Sequence, residues 1–217
     1  STFNIMLSAF FFAIMTSWIV YRIGKTEAGI PVYTLLLAGV AMAAFLSGVT
    51  SLLIYISVSD MYKVVFWIMG GFWTATWLKV EMVTLPIAAS SLYLILSSWN
   101  LNAILVGEEH AMSVGIDVEG FKRRVIAATA LLTSAAVSVS GVIGFVGLIT
   151  PHSMRLVAGE NNRIILPASL LAGAAFMPFV DIVSRTATAG EIPVGIITAM
   201  LGAPFFLYLL RRSKIAA

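Results

Sequence analysis

The sequence predicts an all-α fold, a polytopic transmembrane helical bundle of about seven spans plus one short half-helix. Three observations carry that prediction. Mean hydropathy is +1.01, with 60% apolar and only 11% charged residues, far outside the soluble range. The apolar residues fall in repeated runs near the roughly 20 residues a helix needs to cross a bilayer. The runs are continuous Leu, Ile, Val, Phe, Ala and Gly, whereas barrel strands would alternate polar and apolar over about ten residues. Hydrophobicity spread over 217 residues is also too extensive for a signal peptide.

The apolar segments lie at 3–21, 33–58, 61–73, 77–99, 125–142, 143–157, 164–184 and 192–210. The piece MYKVVFWIMGGFW at 61–73 is too short to cross alone and reads as a half-helix or re-entrant segment. Residues 142–157 are barely long enough and allow a tilted, broken or buried helix. Asn100 and Asn102 are placed to end the span before them, and Gly107 permits a chain reversal. Pro193 suits the start of the final span, and LLRRSK at its end suits an interfacial anchor.

Sorting the 13 basic residues along this path puts ten on one side and three on the other. Arg22, Lys25, Lys122, Arg123, Arg124, Arg155, Arg163, Arg211, Arg212 and Lys214 share the first side; Lys63, Lys79 and Arg185 share the second. By the positive-inside rule the first side is cytoplasmic, so the N-terminus is outside and the C-terminus inside. This topology accounts for the pI of 9.3 without a nucleic-acid partner. The absence of cysteine excludes disulfides and thiolate chemistry, and two histidines argue against a histidine-rich metal cage.

One stretch stands apart. LVGEEHAMSVGIDVEGFKRR at 105–124 holds seven charges in 20 residues and falls on the cytoplasmic side. Glu108 and Glu109 favour a helix N-terminus, Ala111, Met112 and Val114 offer an apolar side, and Gly115 frees the backbone for a further turn. The expected form is a short helix, a glycine break, and another short helix or turn. By composition it is either a solvated loop whose Lys-Arg-Arg anchors the next span, or a knob for a cytoplasmic partner. Metal binding by Glu108, Glu109 and His110 is disfavoured because adjacent side chains diverge around a helix.

GVIGFVGLITPH at 141–152 spaces Gly141, Gly144 and Gly147 three apart and ends in Pro151 and His152. It lacks the GKS or GKT of a phosphate loop, so close packing and a bent gate helix remain as the two alternatives. Asp181 and Arg185 are one helical turn apart, and an ionisable residue at membrane depth needs such a partner or water. Arg185 and Glu191 near the outer end are either simply solvated or part of an external docking surface. The Met and aromatic residues of FWIMGGFWTATW suit a substrate-facing wall or a lipid interface equally well.

GEEHAMSVGI at 107–116, SGVIGFVGLITPHSMRLVAG at 140–159 and EIPVGIITAMLGAPFFLYLLRR at 191–212 belong together. With NNRIILPASLLAGA at 161–174 and DIVSRT at 181–186, they resemble the membrane permease subunits of ABC importers for vitamin B12, iron siderophores and haem. The resemblance covers nearly the whole chain. It implies a single permease domain over 1–217 of the type II ABC importer kind, with about three of some ten helices missing at the N-terminus. It further implies a multi-pass inner-membrane protein pairing with a second permease, either a copy or a close homologue. Two cytoplasmic ATP-binding subunits and an external substrate-binding protein complete such an assembly. ATP and Mg would be used by the ATPase, with no cofactor or metal bound by this chain and no catalytic residue in it.

The same resemblance implies residue roles. Residues 100–121 correspond to the coupling loop, with Gly107, Glu108, Glu109, His110, Ala111 and Gly115 at the ATPase contact. Arg185 corresponds to an arginine that meets an acidic residue of the binding protein. The 61–73 segment corresponds to the helix beside the outer pathway, which makes Met61, Val65, Met69 and Phe72 pathway candidates. Gly141, Gly144, Gly147, Pro151 and Asp181 are expected to serve gating or packing. Two other classes stay open on the residues alone: an ion-gradient secondary transporter using Asp181, and a non-transporting scaffold.

Overall fold

A computed structural model describes residues 2–26, 29–56, 61–188 and 190–215, with side chains except at 2, 209, 210 and 212–215. Positions 57 and 58 of the expected second span, and the side chains of Arg212 and Lys214, lie outside that description. The described residues form ten helices: α1 (Thr2–Gly24), α2 (Val32–Ile56), α3 (Met61–Met69), α4 (Trp77–Leu96), α5 (Ser98–Val106), α6 (Glu108–Ser113), α7 (Val118–Ser140), α8 (Val146–Ala158), α9 (Asn162–Thr186) and α10 (Val194–Ile215).

Among the described residues, four helices are long and apolar enough to cross a membrane, within α1, α2, α4 and α9. The apolar part of α10 is the shorter Val194–Tyr208. The chain is therefore an all-α, multi-pass membrane bundle. Its outer surface agrees: Tyr55, Trp77 and Val157 are each more than 80% exposed among many other exposed apolar side chains, as on a surface that does not face water.

α7 packs between α1 and α4, and α1 also carries α2. α9 packs against α8, α5, α4 and α10, while α6 rests on α5 and α7. Beside a few bulky residues, Met6, Ile30, Phe121 and Ile165, most buried residues are small: Ser134, Ala135 and Ser138 on α7, Ser90 on α4, Val180 and Ser184 on α9, Val194 and Thr198 on α10. Lipid is as apolar as leucine, so helices in a membrane gain by close backbone approach rather than by hiding large side chains.

The helix starts are written in local chemistry. Thr76, Asp117 and Asn161 each cap a helix by accepting from a first-turn amide, Lys79, Gly120 and Arg163 respectively. One expectation is corrected here. Asn100 and Asn102 do not end a span: the break comes earlier, at Ser97, and both asparagines lie inside α5. The reason is that Asn102 has a partner outside its own helix, described below.

Candidate functional site

α6 stands at one end of the bundle, framed by two glycines. Gly107, with φ 151° and ψ 146°, closes α5 and opens α6. Beyond α6, Gly115 adopts φ 87°; its amide donates to Met112 O at 3.0 Å and the Ile116 amide donates to Ala111 O at 3.0 Å. That bond pair is the Schellman termination, in which a left-handed residue lets two following amides satisfy the last carbonyls. Ile116 leads directly to the Asp117 cap of α7, so the expected second short helix is the first turn of α7 itself. Ala111 is fully buried, whereas Met112 and Val114 are more than half exposed. The expected apolar side is thus divided: Ala111 seats the knob and the other two face outward.

The knob is tied to the bundle on two sides. On one side, Lys122 Nζ lies 2.8 Å from Glu108 Oε2 and 3.9 Å from Glu119 Oε1. Glu119 Oε1 in turn accepts from the Ile30 amide at 3.2 Å, and Ile30, between α1 and α2, is 3% exposed. On the other side, Asn102 Nδ2 donates to Asn161 Oδ1 at 2.8 Å, and the Asn162 amide donates to Asn102 Oδ1 at 2.9 Å. The Arg163 guanidinium sits 5.2 Å from the ring centre of Trp99, joining α5 to the start of α9 a second time. Glu109 and His110 are exposed, and the described residues contain no group of carboxylates and histidines able to hold a metal.

At the opposite end three backbones cross. Gly70 after α3, Gly141 after α7 and Gly195 in α10 meet so closely that a Cβ on any one would collide with a carbonyl oxygen: Val142 O for Gly70, Trp67 O for Gly141, Met69 O for Gly195. The Gly71 amide donates to Ser140 O at 2.8 Å and the Gly195 amide to Gly70 O at 3.3 Å. These bonds satisfy polar backbone groups exposed by the interruption of α7 and α8, which a membrane interior requires. Gly144 and Gly147, by contrast, have open space where a Cβ would go. Gly147 and Pro151 instead line a cleft of about 180 Å³ with Phe145, His152 and Phe205. Phe145 precedes α8 in the left-handed region at φ 66°, and a Cβ on Gly202 of α10 would strike it.

A cavity of about 440 Å³ beside α3 is lined by Tyr62, Phe66, Trp67, Trp73, Ser138 and Gly141, among others. Met61, Val65 and Met69, the sequence candidates, repeat every fourth residue along a different face of α3. Phe72 lines a separate cavity between α4, α7 and α9. The tyrosine, phenylalanine and tryptophan positions were visible in the sequence, but a nine-residue helix carries apolar residues all round and does not declare which face is turned inward.

Asp181 and Arg185 pair as their spacing predicts, Arg185 Nε to Asp181 Oδ2 at 2.9 Å, and Arg185 Nη1 is 4.0 Å from Glu191 Oε1. Ser184 and Ile192 close the intervening turn by exchanging hydrogen bonds, so this charged surface leads directly into α10 and the glycine crossing. Sequence reasoning missed Glu119, Lys122, Asn161, Gly70 and Gly195 as site residues. A Lys-Arg-Arg run at a span mouth resembles a headgroup anchor, and only the fold brings Lys122 to Glu108.

A cobalamin import system permease protein of Halobacterium salinarum is 44% identical over 210 residues, covering 97% of this chain and 57% of the relative. A molybdate import system permease protein of Haemophilus influenzae is 37% identical over 182 residues, 83% of this chain and 54% of that one. The chain thus spans little more than half the length of these relatives. A solved structure, assigned as a metal-chelate type ABC transporter in an inward-facing conformation, superposes with a TM-score of 0.89 at 33% identity, covering 98% of this chain and 68% of the other. The family model described as the FecCD transport family matches residues 1–212, and the chain belongs to that family.

Proposed function

We propose that this chain is the pathway-forming part of a permease subunit in an ATP-driven importer of a metal chelate, a cobalamin, ferric siderophore or haem. The observation that carries the proposal is α6: a helix of six residues, bounded by two special-φ glycines and held on both flanks, with Met112 and Val114 presented outward. A knob of this kind suits a groove in a cytoplasmic ATPase. ATP binding would draw two ATPase subunits together, the push would enter at 107–115, and the paired permeases would change which side of their pathway is open.

In this reading the chain contributes seven spans, α1, α2, α4, α7, α8, α9 and α10, with α3 a half-helix beside the outer pathway. The α6 end and the C-terminus are cytoplasmic, in accord with the basic-residue bias. Arg185, oriented by Asp181 and Glu191, faces the binding protein, which supplies most of the selectivity. The permease hydrolyses nothing itself. A coupling-ion role for Asp181 is the weaker alternative, because its carboxylate is already engaged by a guanidinium on the next turn.

The test is uptake of labelled cobalamin, then of ferric siderophore and haem, into proteoliposomes carrying the full-length permease, its ATPase and its binding protein. ATP-dependent uptake of one of them is expected. Uptake driven by a proton or sodium gradient with no ATPase subunit would overturn the proposal.

A further inference from the structure

Three charged groups join the knob to a part of the chain some eighty residues earlier. Glu108 opens α6, Glu119 and Lys122 lie on the first turn and a half of α7, and Ile30 sits in the connection between α1 and α2. Lys122 Nζ bridges the two carboxylates, at 2.8 Å from Glu108 and 3.9 Å from Glu119, and Glu119 accepts from the buried Ile30 backbone at 3.2 Å. The side chain of Lys122 is only 18% exposed, so its charge is partly withdrawn from water and more dependent on these two partners than a surface lysine would be. The α1–α2 connection is itself closed, Thr26 and Gly29 exchanging backbone bonds at 2.9 and 3.2 Å and Thr34 Oγ1 donating to Gly24 O at 2.6 Å. The far end of the bridge is thus itself hydrogen-bonded at Gly24, Thr26, Gly29 and Thr34.

We propose that Lys122 is a positioning residue that makes α6 and the α1–α2 connection move as one body, so that force entering at the knob reaches α1 and α2 as well as α7. This rests on the reading of α6 as the ATPase contact. Without Lys122, Glu108 and Glu119 would lose the cation between them and α6 its charged tie to the first turns of α7, while Glu119 still accepts from Ile30 and α6 keeps its hold on α5. The arrangement adds to the packing of α7 against α1 a directional, charged tie from α6 into the first turns of α7.

The experiment uses the full-length permease in complex with its ATPase. Spin labels on Lys25→Cys and Ser113→Cys report the distance between the α1–α2 connection and α6, both positions being exposed. Lys122→Met is expected to broaden that distance distribution and to lower cobalamin uptake per ATP hydrolysed roughly two- to fivefold, the range of a partly exposed ion pair. Lys122→Arg should restore both, and the ATPase should still co-purify with each variant. If Lys122→Met yields no folded complex, Glu119→Gln gives the same two measurements. An unchanged distance distribution overturns the proposal, and so does a broadened one with unaltered uptake per ATP. Failure of the parent permease to hold its ATPase through α6 is a different result: it sinks the reading of the knob, while the distance measurement still judges the clamp.

Discussion

Gly141, Gly144 and Gly147 look equivalent in the sequence, and alanine at each separates packing from mere flexibility. At Gly141 the backbone stands at φ 68° and ψ −162°, a region essentially reserved for glycine, where another residue costs on the order of 1–3 kcal/mol. A Cβ there also meets the Trp67 carbonyl and the Gly70 Cα, and forcing an added methyl into filled space costs about 1–3 kcal/mol more. Gly141→Ala should therefore destabilise by roughly 2–6 kcal/mol. Gly144→Ala meets nothing and should stay within about 0.5 kcal/mol of the parent. Gly147→Ala, in α8 with open space around it, should gain up to about 1 kcal/mol of helix propensity. The assay is heat-induced loss of the folded, detergent-solubilised protein followed by fluorescence-detected size exclusion. Gly141→Ala should melt at least about 4 °C below the parent, with the other two at or above it. Equal losses for all three, or a Gly141→Ala variant that melts with the parent, would refute the three-backbone crossing.

The remaining perturbations probe the two ends. Asn102→Ala removes a donor to Asn161 and leaves the Asn162 amide without its acceptor, so the same melting assay should register a loss of about 1 kcal/mol, whereas Asn100→Ala should be near neutral. Gly115→Val has no steric conflict but must hold φ 87°, at about 1–2 kcal/mol; pull-down of the ATPase subunit should weaken while binding-protein docking is unchanged. Arg185→Glu gathers three carboxylates with Asp181 and Glu191, so docking of the binding protein should weaken most at low salt, and identical docking at all ionic strengths would remove Arg185 from that surface.

Much of this molecule was legible because membrane insertion writes itself into composition. Continuous apolar runs announced helices, the short 61–73 piece announced α3, and the four-residue spacing of Asp181 and Arg185 announced their pair. Gly107 and Gly115 marked the borders of α6 because a backbone reversal needs a residue without Cβ, and that requirement is local. Asn102 was misleading for a related reason. An asparagine near a helix end suggests a local cap, but this one serves another helix start, 60 residues away.

What the sequence by itself determined are properties set by neighbours along the chain: which stretches are helical, where they stop, which are apolar enough for lipid, and which family signature they carry. The tertiary structure alone decided which of several similar residues does the work. Gly141 is locked against two other backbones while Gly144 is free, Lys122 bridges Glu108 and Glu119 while Arg123 lines an apolar groove, and Tyr62 and Phe66 rather than Met61 and Val65 face the cavity beside α3. Lipid accepts any apolar face equally, so hydrophobicity does not say which side of a helix turns inward. That choice is made by close approach and by paired polar groups contributed from distant parts of the chain.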